Sequence, residues 1–238
     1  MEEVEYELEL FRVGNHSFEV TTIAFLPIEV LMANQSRDVE ISGQKLWCGS
    51  LAVAEYLLGN GESWLRGSTV VELGAGTGVL GMLCKRLGAL RVVLTDNDPR
   101  SLEHMKHDCV GNGVEAEVVS LDWFASRAEL PSGGGIETLR IVAGDVLYKK
   151  ALLEPFMRTI GDLLKQSSEP AAAQMLLCHV PRAGVDQSDV QLSAAEQALS
   201  LTALPRELWC KGAVTEYCPT EDTDRAVLYL ITLAEGAL

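Results

Sequence analysis

Long apolar runs are missing from this sequence. No stretch approaches the roughly 18 consecutive apolar residues of a membrane-spanning helix, and the opening MEEVEYELEL is too acidic for a secretion or organelle signal. No membrane partner is therefore expected. Positive charge is scarce: 19 lysines and arginines stand against 34 aspartates and glutamates, a formal charge of −15. Nucleic-acid binding needs clustered basic side chains to meet phosphates, so no nucleic acid is expected as a partner. The acidic balance suits a basic partner, or serves solubility alone. Paired cysteines are also missing as a pattern. The six cysteines (48, 84, 109, 178, 210, 218) are scattered, without CxxC spacing and several within apolar helix or strand patterns. They read as reduced, mostly buried thiols of an intracellular protein, cytoplasmic or also nuclear, and not as a disulfide frame or a zinc site. His104 and His107 stand one helical turn apart beside Asp108, a spacing that a metal accepts. On a charged helix face such a pair reads as solvated, and no metal is expected.

What is present is a globular composition. Of 238 residues, 47% are apolar and 22% charged, enough for a large core in one domain with modest elaboration. Val4, Tyr6, Leu8 and Leu10 alternate with glutamates at 5, 7 and 9, the period of a half-buried strand with an acidic outer face. VGNHS then offers turn residues and FEVTTIAF a returning strand, which predicts an N-terminal β-hairpin. Residues 46–58 take a helical period, with GNGES as the stop. Strands are predicted at 69–73, 91–95, 116–120, 139–144, 174–179 and 226–232, with a weaker one near 213–217. Helices fit 79–87, 99–110, 152–164 and 187–199, the second opening with Asp98 as N-cap and Pro99 in the first turn. LPSGGGIET and QSSEPAA read as surface loops. Strand and helix signals that take turns predict an α/β fold, a parallel sheet covered by helices on both faces.

The stretch VVELGAGTGVLG, residues 70–81, lies between a predicted strand and helix, where ligands of such sheets bind. Its glycines at 74, 76 and 78 follow G-x-G-x-G, not the G-x-G-x-x-G of a dinucleotide fingerprint, and no P-loop lysine is present. An acid, Glu72, precedes them; it would repel a pyrophosphate and welcome a cationic moiety. A nucleoside carrying ammonium and sulfonium groups fits better, and S-adenosylmethionine is that molecule. The next strand ends in Asp96, about twenty residues beyond the loop, where an acid accepts from ribose hydroxyls. After the third strand, Asp122 and Trp123 stand where an adenine would lie, the carboxylate for its amine and the indole as an apolar wall.

VVELGAGTGVLG, VVLTD, LDW and above all AGDVLY resemble the class I, seven-β-strand methyltransferases known as methyltransferase family 16, which includes calmodulin-lysine, chaperone-lysine and valosin-containing-protein-lysine methyltransferases. The resemblance covers about 43–164. It implies a Rossmann-like, doubly wound seven-strand sheet with a final antiparallel strand, formed by residues 43–238 after an N-terminal hairpin extension, 1–42. The family signature, an acid, two residues and a tyrosine, falls on Asp145-Val146-Leu147-Tyr148. The upstream GQKLWCGSLAVAEYLL resembles the family's segment before the glycine loop, whose tryptophan, here Trp47, borders the cofactor; Cys48 stands where relatives often carry an acid or proline.

The resemblance implies methyl transfer to a protein side chain, with lysine first, and a monomer meeting a partner protein that presents it. A lysine with an ordinary pKa of about 10.4 is neutral in only about one molecule in a few thousand at pH 7. An apolar channel favours the neutral amine and an acid at its mouth draws the cation in. Asp145 and Tyr148 divide these tasks in this reading: the carboxylate orients and attracts, the phenol walls the channel and hydrogen-bonds the amine. Without the resemblance, Tyr148 reads as packing for the next helix. His179, at the end of the fifth strand, either lines the acceptor pocket or closes the strand. Histidine, arginine or small-molecule acceptors remain alternatives, as do a cofactor-binding subunit without turnover and, more distantly, a nicotinamide-dependent oxidoreductase.

Overall fold

The structure, a computed structural model, describes residues 5–24, 42–129, 138–182 and 184–237. The first strands, β1 (Tyr6–Val13) and β2 (His16–Ile23), pair antiparallel with Phe11 opposite Phe18. A two-residue turn joins them, with Gly14 at φ 58°, a conformation in which glycine carries no Cβ penalty. The hairpin is as expected, but its inward face is not. Phe11, Val13, Phe18 and Val20 are buried while Leu8 and Leu10 are 58% and 50% exposed. The side-chain period of two puts these sets on opposite faces, and burying two phenylalanines against the helices outweighs burying two leucines. The outer edge of β2 is covered from the side. Asn112 exchanges two hydrogen bonds with the Glu19 main chain (Nδ2 to O 2.7 Å, N to Oδ1 3.0 Å), and Asp108 accepts from the Thr21 N–H at 2.8 Å.

The remaining strands form one seven-stranded sheet in the order β5-β4-β3-β6-β7-β9-β8. Five are parallel: β3 (Thr69–Leu73), β4 (Arg91–Asp96), β5 (Glu117–Ser120), β6 (Leu139–Gly144) and β7 (Gln174–His179). The last two, β8 (Leu199–Ala203) and β9 (Val227–Leu233), are antiparallel to each other, and β9 is antiparallel to β7. Alternate residues of each central strand feed two cores. Val70, Val92, Leu94 and Leu176 join the hairpin, α1 (Cys48–Leu65), α2 (Val79–Arg86) and α3 (Pro99–Gly111) on one face. Val71, Val93, Ile141 and Leu177 meet α4 (Leu153–Leu164) and α5 (Gln187–Glu196) on the other. Burial on both faces is why these strands read as continuous apolar runs.

Three expectations are corrected. Helix α1 does not stop at GNGES but continues to Leu65: Gly61 lets the Leu57 and Leu65 side chains close over it, and Trp64 donates to Gln174 at 2.7 Å, anchoring the last turn. The segment 213–217 is a short helix, α6 (Ala213–Tyr217), because the Glu55 carboxylate accepts from the Ala213 N–H at 2.7 Å and satisfies its first turn. The seventh strand is instead β8, which takes only Leu199 from the predicted 187–199 helix; the helix itself ends at Glu196, and Ala198, at φ 54°, ends the helical path. A further short helix, α7 (Thr220–Arg225), leads into β9. The loop read at 130–138 lies outside the described residues except Thr138, as do Val4 and Phe25 at the hairpin's ends. No described helix is long and apolar enough to cross a membrane.

Candidate active site

Parallel pairing brings the carboxyl ends of β3 to β7 to one edge of the sheet. From β3 the chain builds outward to β4 and β5, then returns to place β6 on the other side of β3. The crevice at that reversal is where open α/β sheets bind ligands, and the loops after β3, β4, β5 and β6 are those that carry the predicted residues.

Gly74, Gly76 and Gly78 have φ of 64°, 54° and 72°, all in the left-handed region that a Cβ disfavours. The excluded space is filled by the protein itself. A Cβ on Gly76 would collide with the carbonyl of Gly43, which lies in a short 3-10 turn (Ser42–Gln44) crossing the loop. A Cβ on Gly74 would come within 2.9 Å of Val146 and 3.3 Å of the Trp123 ring. Trp123 therefore lies over the glycine loop, held edge-on against Phe156 with ring centroids 4.8 Å apart. Asp122 is exposed, and its Oδ1 accepts from the Phe124 N–H at 2.9 Å, shaping the turn after β5.

Asp96 closes the other side. Its Oδ2 accepts from Gly76 N–H at 2.9 Å, and its Oδ1 from the N–H groups of Asn97 and Asp98 at 2.7 and 2.9 Å. Burial raises its pKa against those three donors. Each carboxylate oxygen has two lone pairs, so Oδ2 retains one, and a ribose hydroxyl fits it. Asp98, the N-cap of α3, accepts from Gln44 Nε2 at 2.9 Å, and Gln44 Oε1 accepts from the Tyr6 hydroxyl at 2.5 Å. The hairpin is thus linked to this wall of the site. Glu72 is turned under the loop instead of along it. It is 2% exposed, and its Oε2 accepts at 2.7 Å from the Gly81 N–H, a donor of the first turn of α2. Burial pushes it up to about 8, which leaves it largely uncharged at neutral pH.

Beyond β6, the start of α1 presses on the strand end: a Cβ on Gly49 would meet the Asp145 main chain and Cβ at 2.5 to 2.8 Å. Asp145 follows with φ 61°, rare for a residue other than glycine and most tolerated by Asn and Asp. Its N–H donates to the Cys178 carbonyl at 2.8 Å. Its side chain is 1% exposed, and Oδ2 receives the Arg182 guanidinium at 2.5 Å. Burial raises its pKa to about 7 although Arg182 pulls it down. Arg182 also stacks on the Trp47 ring at 5.0 Å. Trp47, the residue before α1, therefore borders the Asp145 end of the crevice. Tyr148 is half-buried in the loop leaving β6, its ring faced by the Lys149 ammonium at 5.1 Å, so it is not a core residue of α4. His179 is 1% exposed, and burial lowers its pKa to about 4; it closes β7 as a neutral imidazole. His104 packs edge-on against Tyr6 at 4.7 Å, while Asp108 serves Thr21 and His107. The described cysteines are all free thiols.

The sequence profile described as lysine methyltransferase matches residues 28–194. The chain belongs to the lysine methyltransferase family. Its curated relatives include protein N-lysine methyltransferase METTL21A of Mus musculus, 31% identical over 128 residues, 52% of this chain and 56% of that protein. Methyltransferase-like protein 22 of Mus musculus is 30% identical over 182 residues, 68% of this chain and 44% of that protein. Ribosomal protein L11 methyltransferase of Geobacter metallireducens is 36% identical over 82 residues, 34% of this chain and 26% of that protein. The matched stretch spans less than two thirds of each of these relatives. Among solved structures, the fold is shared with the T. thermophilus 16S rRNA methyltransferase RsmC in complex with AdoMet and guanosine, at TM-score 0.56 and 15% identity over 98% of this chain and 51% of that one. It is also shared with a TehB-like SAM-dependent methyltransferase from Corynebacterium glutamicum, at TM-score 0.53 and 16% identity over 85% and 96%. Membership of the lysine methyltransferase family agrees with the motifs at 70–81 and 145–148.

Two residues of this candidate site were missed in the sequence, Arg182 and Gly43. Arg182 follows Pro181 directly after β7, and a fixed cation one turn past a parallel strand's carboxyl end was a signal available to be read. Gly43 carried none, since its partner, Gly76, is brought to it only by the fold.

Proposed function

We propose that this chain transfers a methyl group from S-adenosylmethionine to the ε-amine of a lysine on a partner protein, as a monomer in the cytoplasm or nucleus. When bound, S-adenosylmethionine supplies a methyl on a positively charged sulfur, which leaves with the bonding pair as a neutral thioether. Asp96, the glycine loop and Trp123 are the groups suited to hold its ribose, its main chain-facing edge and its adenine side. The observation that carries the reading is Asp145: a buried acid in a rare backbone conformation, at the carboxyl end of β6 beside the reversal in strand order. Strained conformations of this kind persist where the surrounding structure over-determines them, and they cluster at functional sites.

Asp145 titrates near 7, so at neutral pH it is part ionised. The ionised form orients an incoming ammonium and takes its proton, and the freed lone pair attacks the methyl carbon in line with the departing sulfur. Trp47 and the half-buried Tyr148, whose faces already meet Arg182 and Lys149, supply aromatic walls that receive the ammonium before it gives up its proton. The net charge of −15 supports a basic protein as the partner. The test is a cell extract incubated with the protein and a cofactor whose methyl carries deuterium, read by mass spectrometry. A labelled lysine, lost with Asp145→Asn, is the expected result. Label on histidine, arginine or a small molecule replaces the acceptor, and tight binding of adenosylhomocysteine without any label replaces the enzyme by a binding subunit.

A further inference from the structure

Arg182 makes three contacts that together fix one side of the acceptor crevice. Its guanidinium lies 2.5 Å from Asp145 Oδ2 and 3.7 Å from Asp222 Oδ2, and it stacks on Trp47 at 5.0 Å. Its backbone is tied into a tight turn, where the Val185 N–H donates to the Arg182 carbonyl at 3.0 Å. Asp222 is itself held by Arg225 at 3.0 Å on α7. The guanidinium therefore has little freedom to leave. Asp145 is asymmetric as a result. One oxygen is anchored by Arg182, while Oδ1 is buried without a well-formed hydrogen bond among the described residues; the Val180 N–H also favours the ionised carboxyl. A buried carboxylate oxygen left bare is costly unless something meets it.

We propose that Arg182 is a positioning residue for methyl transfer: it anchors Oδ2 of Asp145 and thereby aims Oδ1 at the acceptor amine and keeps the carboxylate available to it. This rests on the reading of Asp145 as the acid that faces the acceptor. The neighbours of Asp145 set the sign of the effect. Cys48 faces it from α1, Cys178 from β7, Arg182 from the turn after β7, and Asp222 from α7. Burial and the Asp222 carboxylate both oppose its ionisation, and Arg182 is the cation that supports it. Without Arg182, the buried acid holds its proton to higher pH.

The experiment compares the full chain with Arg182→Ala, Arg182→Lys and Asp222→Asn. Titration of the Asp145 carboxyl is followed by carbon NMR, with Asp145→Asn to assign its resonance, and the pH profile of kcat/KM is measured on the lysine substrate. Arg182→Ala is expected to move the titration upward and Asp222→Asn to move it downward, with Arg182→Lys close to wild type. For Arg182→Ala, kcat/KM at pH 7 falls about fivefold if a group titrating at about 7 rises by about one pH unit. The loss disappears at alkaline pH. An unmoved titration in either Arg182→Ala or Asp222→Asn overturns the proposal, as does an activity loss equal at every pH or not rescued by lysine. The NMR titration decides the anchoring without turnover, so a wild-type protein that methylates no lysine refutes the functional reading and leaves this measurement standing.

Discussion

Glu72 offers a test in which the pH dependence has a definite sign. Its carboxyl is buried, takes the Gly81 N–H at 2.7 Å, and titrates near 8 instead of the usual 4.5. Between those values the folded protein holds a proton that the unfolded chain has released. Stability therefore falls as pH rises through the window, because the unfolded state binds fewer protons. At ~1.4 kcal/mol per pH unit, the gap from 4.5 to about 8 amounts to at most about 5 kcal/mol. Glu72→Gln keeps an oxygen for Gly81 and cannot ionise, so it removes the penalty. Thermal unfolding followed by circular dichroism should show the variant matching wild type near pH 4.5 and melting higher near pH 8. A shift of about 2–4 °C is expected for each kcal/mol in a chain of this size. The reasoning fails if the variant is the less stable protein near pH 8, with the deficit growing as pH rises. That outcome means an ionised Glu72 in a favourable pairing with the start of α2, and with it a charge beneath the glycine loop able to attract a cationic ligand.

Two further outcomes follow from contacts already described. Gly76→Ala puts a Cβ at φ 54° against the Gly43 carbonyl. The conformation alone costs about 1–2 kcal/mol, and calorimetry should show adenosylhomocysteine binding weakened at least tenfold; unchanged affinity would mean that the loop is not part of the cofactor site. Asp108→Ala removes acceptors for the Thr21 N–H and hydroxyl at 2.8 and 2.9 Å. A loss of about 1.5–3 kcal/mol is expected, with faster limited proteolysis than in wild type, and a wild-type digestion rate would contradict it.

The central sheet was legible because its strands are buried on both faces and bounded by glycine, proline or aspartate. The strands 69–73, 139–144 and 174–179 were read with the bounds the structure gives, and the Asp98 cap is real, accepting from the Ser101 N–H at 2.9 Å. The C-terminal third was less legible because long-range contacts override local preference there. Ala198 adopts a left-handed turn without the glycine that would announce it, hiding the start of β8. The valine, threonine and tyrosine of 213–217 look like a strand until Glu55, 158 residues away in sequence, caps them as a helix. The site shows the same division. Local motifs marked the glycine loop, Asp96 and Asp145. The downward turn of Glu72, the Gly43 crossing and the Arg182 anchor exist only once distant segments meet.

The order of the last three strands constrains how the molecule is made. Strand β9 is synthesised after β8 yet separates it from β7, so β8 has no strand to pair with until β9 has left the ribosome. Until then β7 exposes an unsatisfied edge, and Asp222, which precedes β9 by only a few residues, has no fixed place from which to restrain Arg182. The glycine-loop side of the crevice can take shape earlier in translation; the wall that Arg182 and Asp222 form together is completed only once α7 has been made.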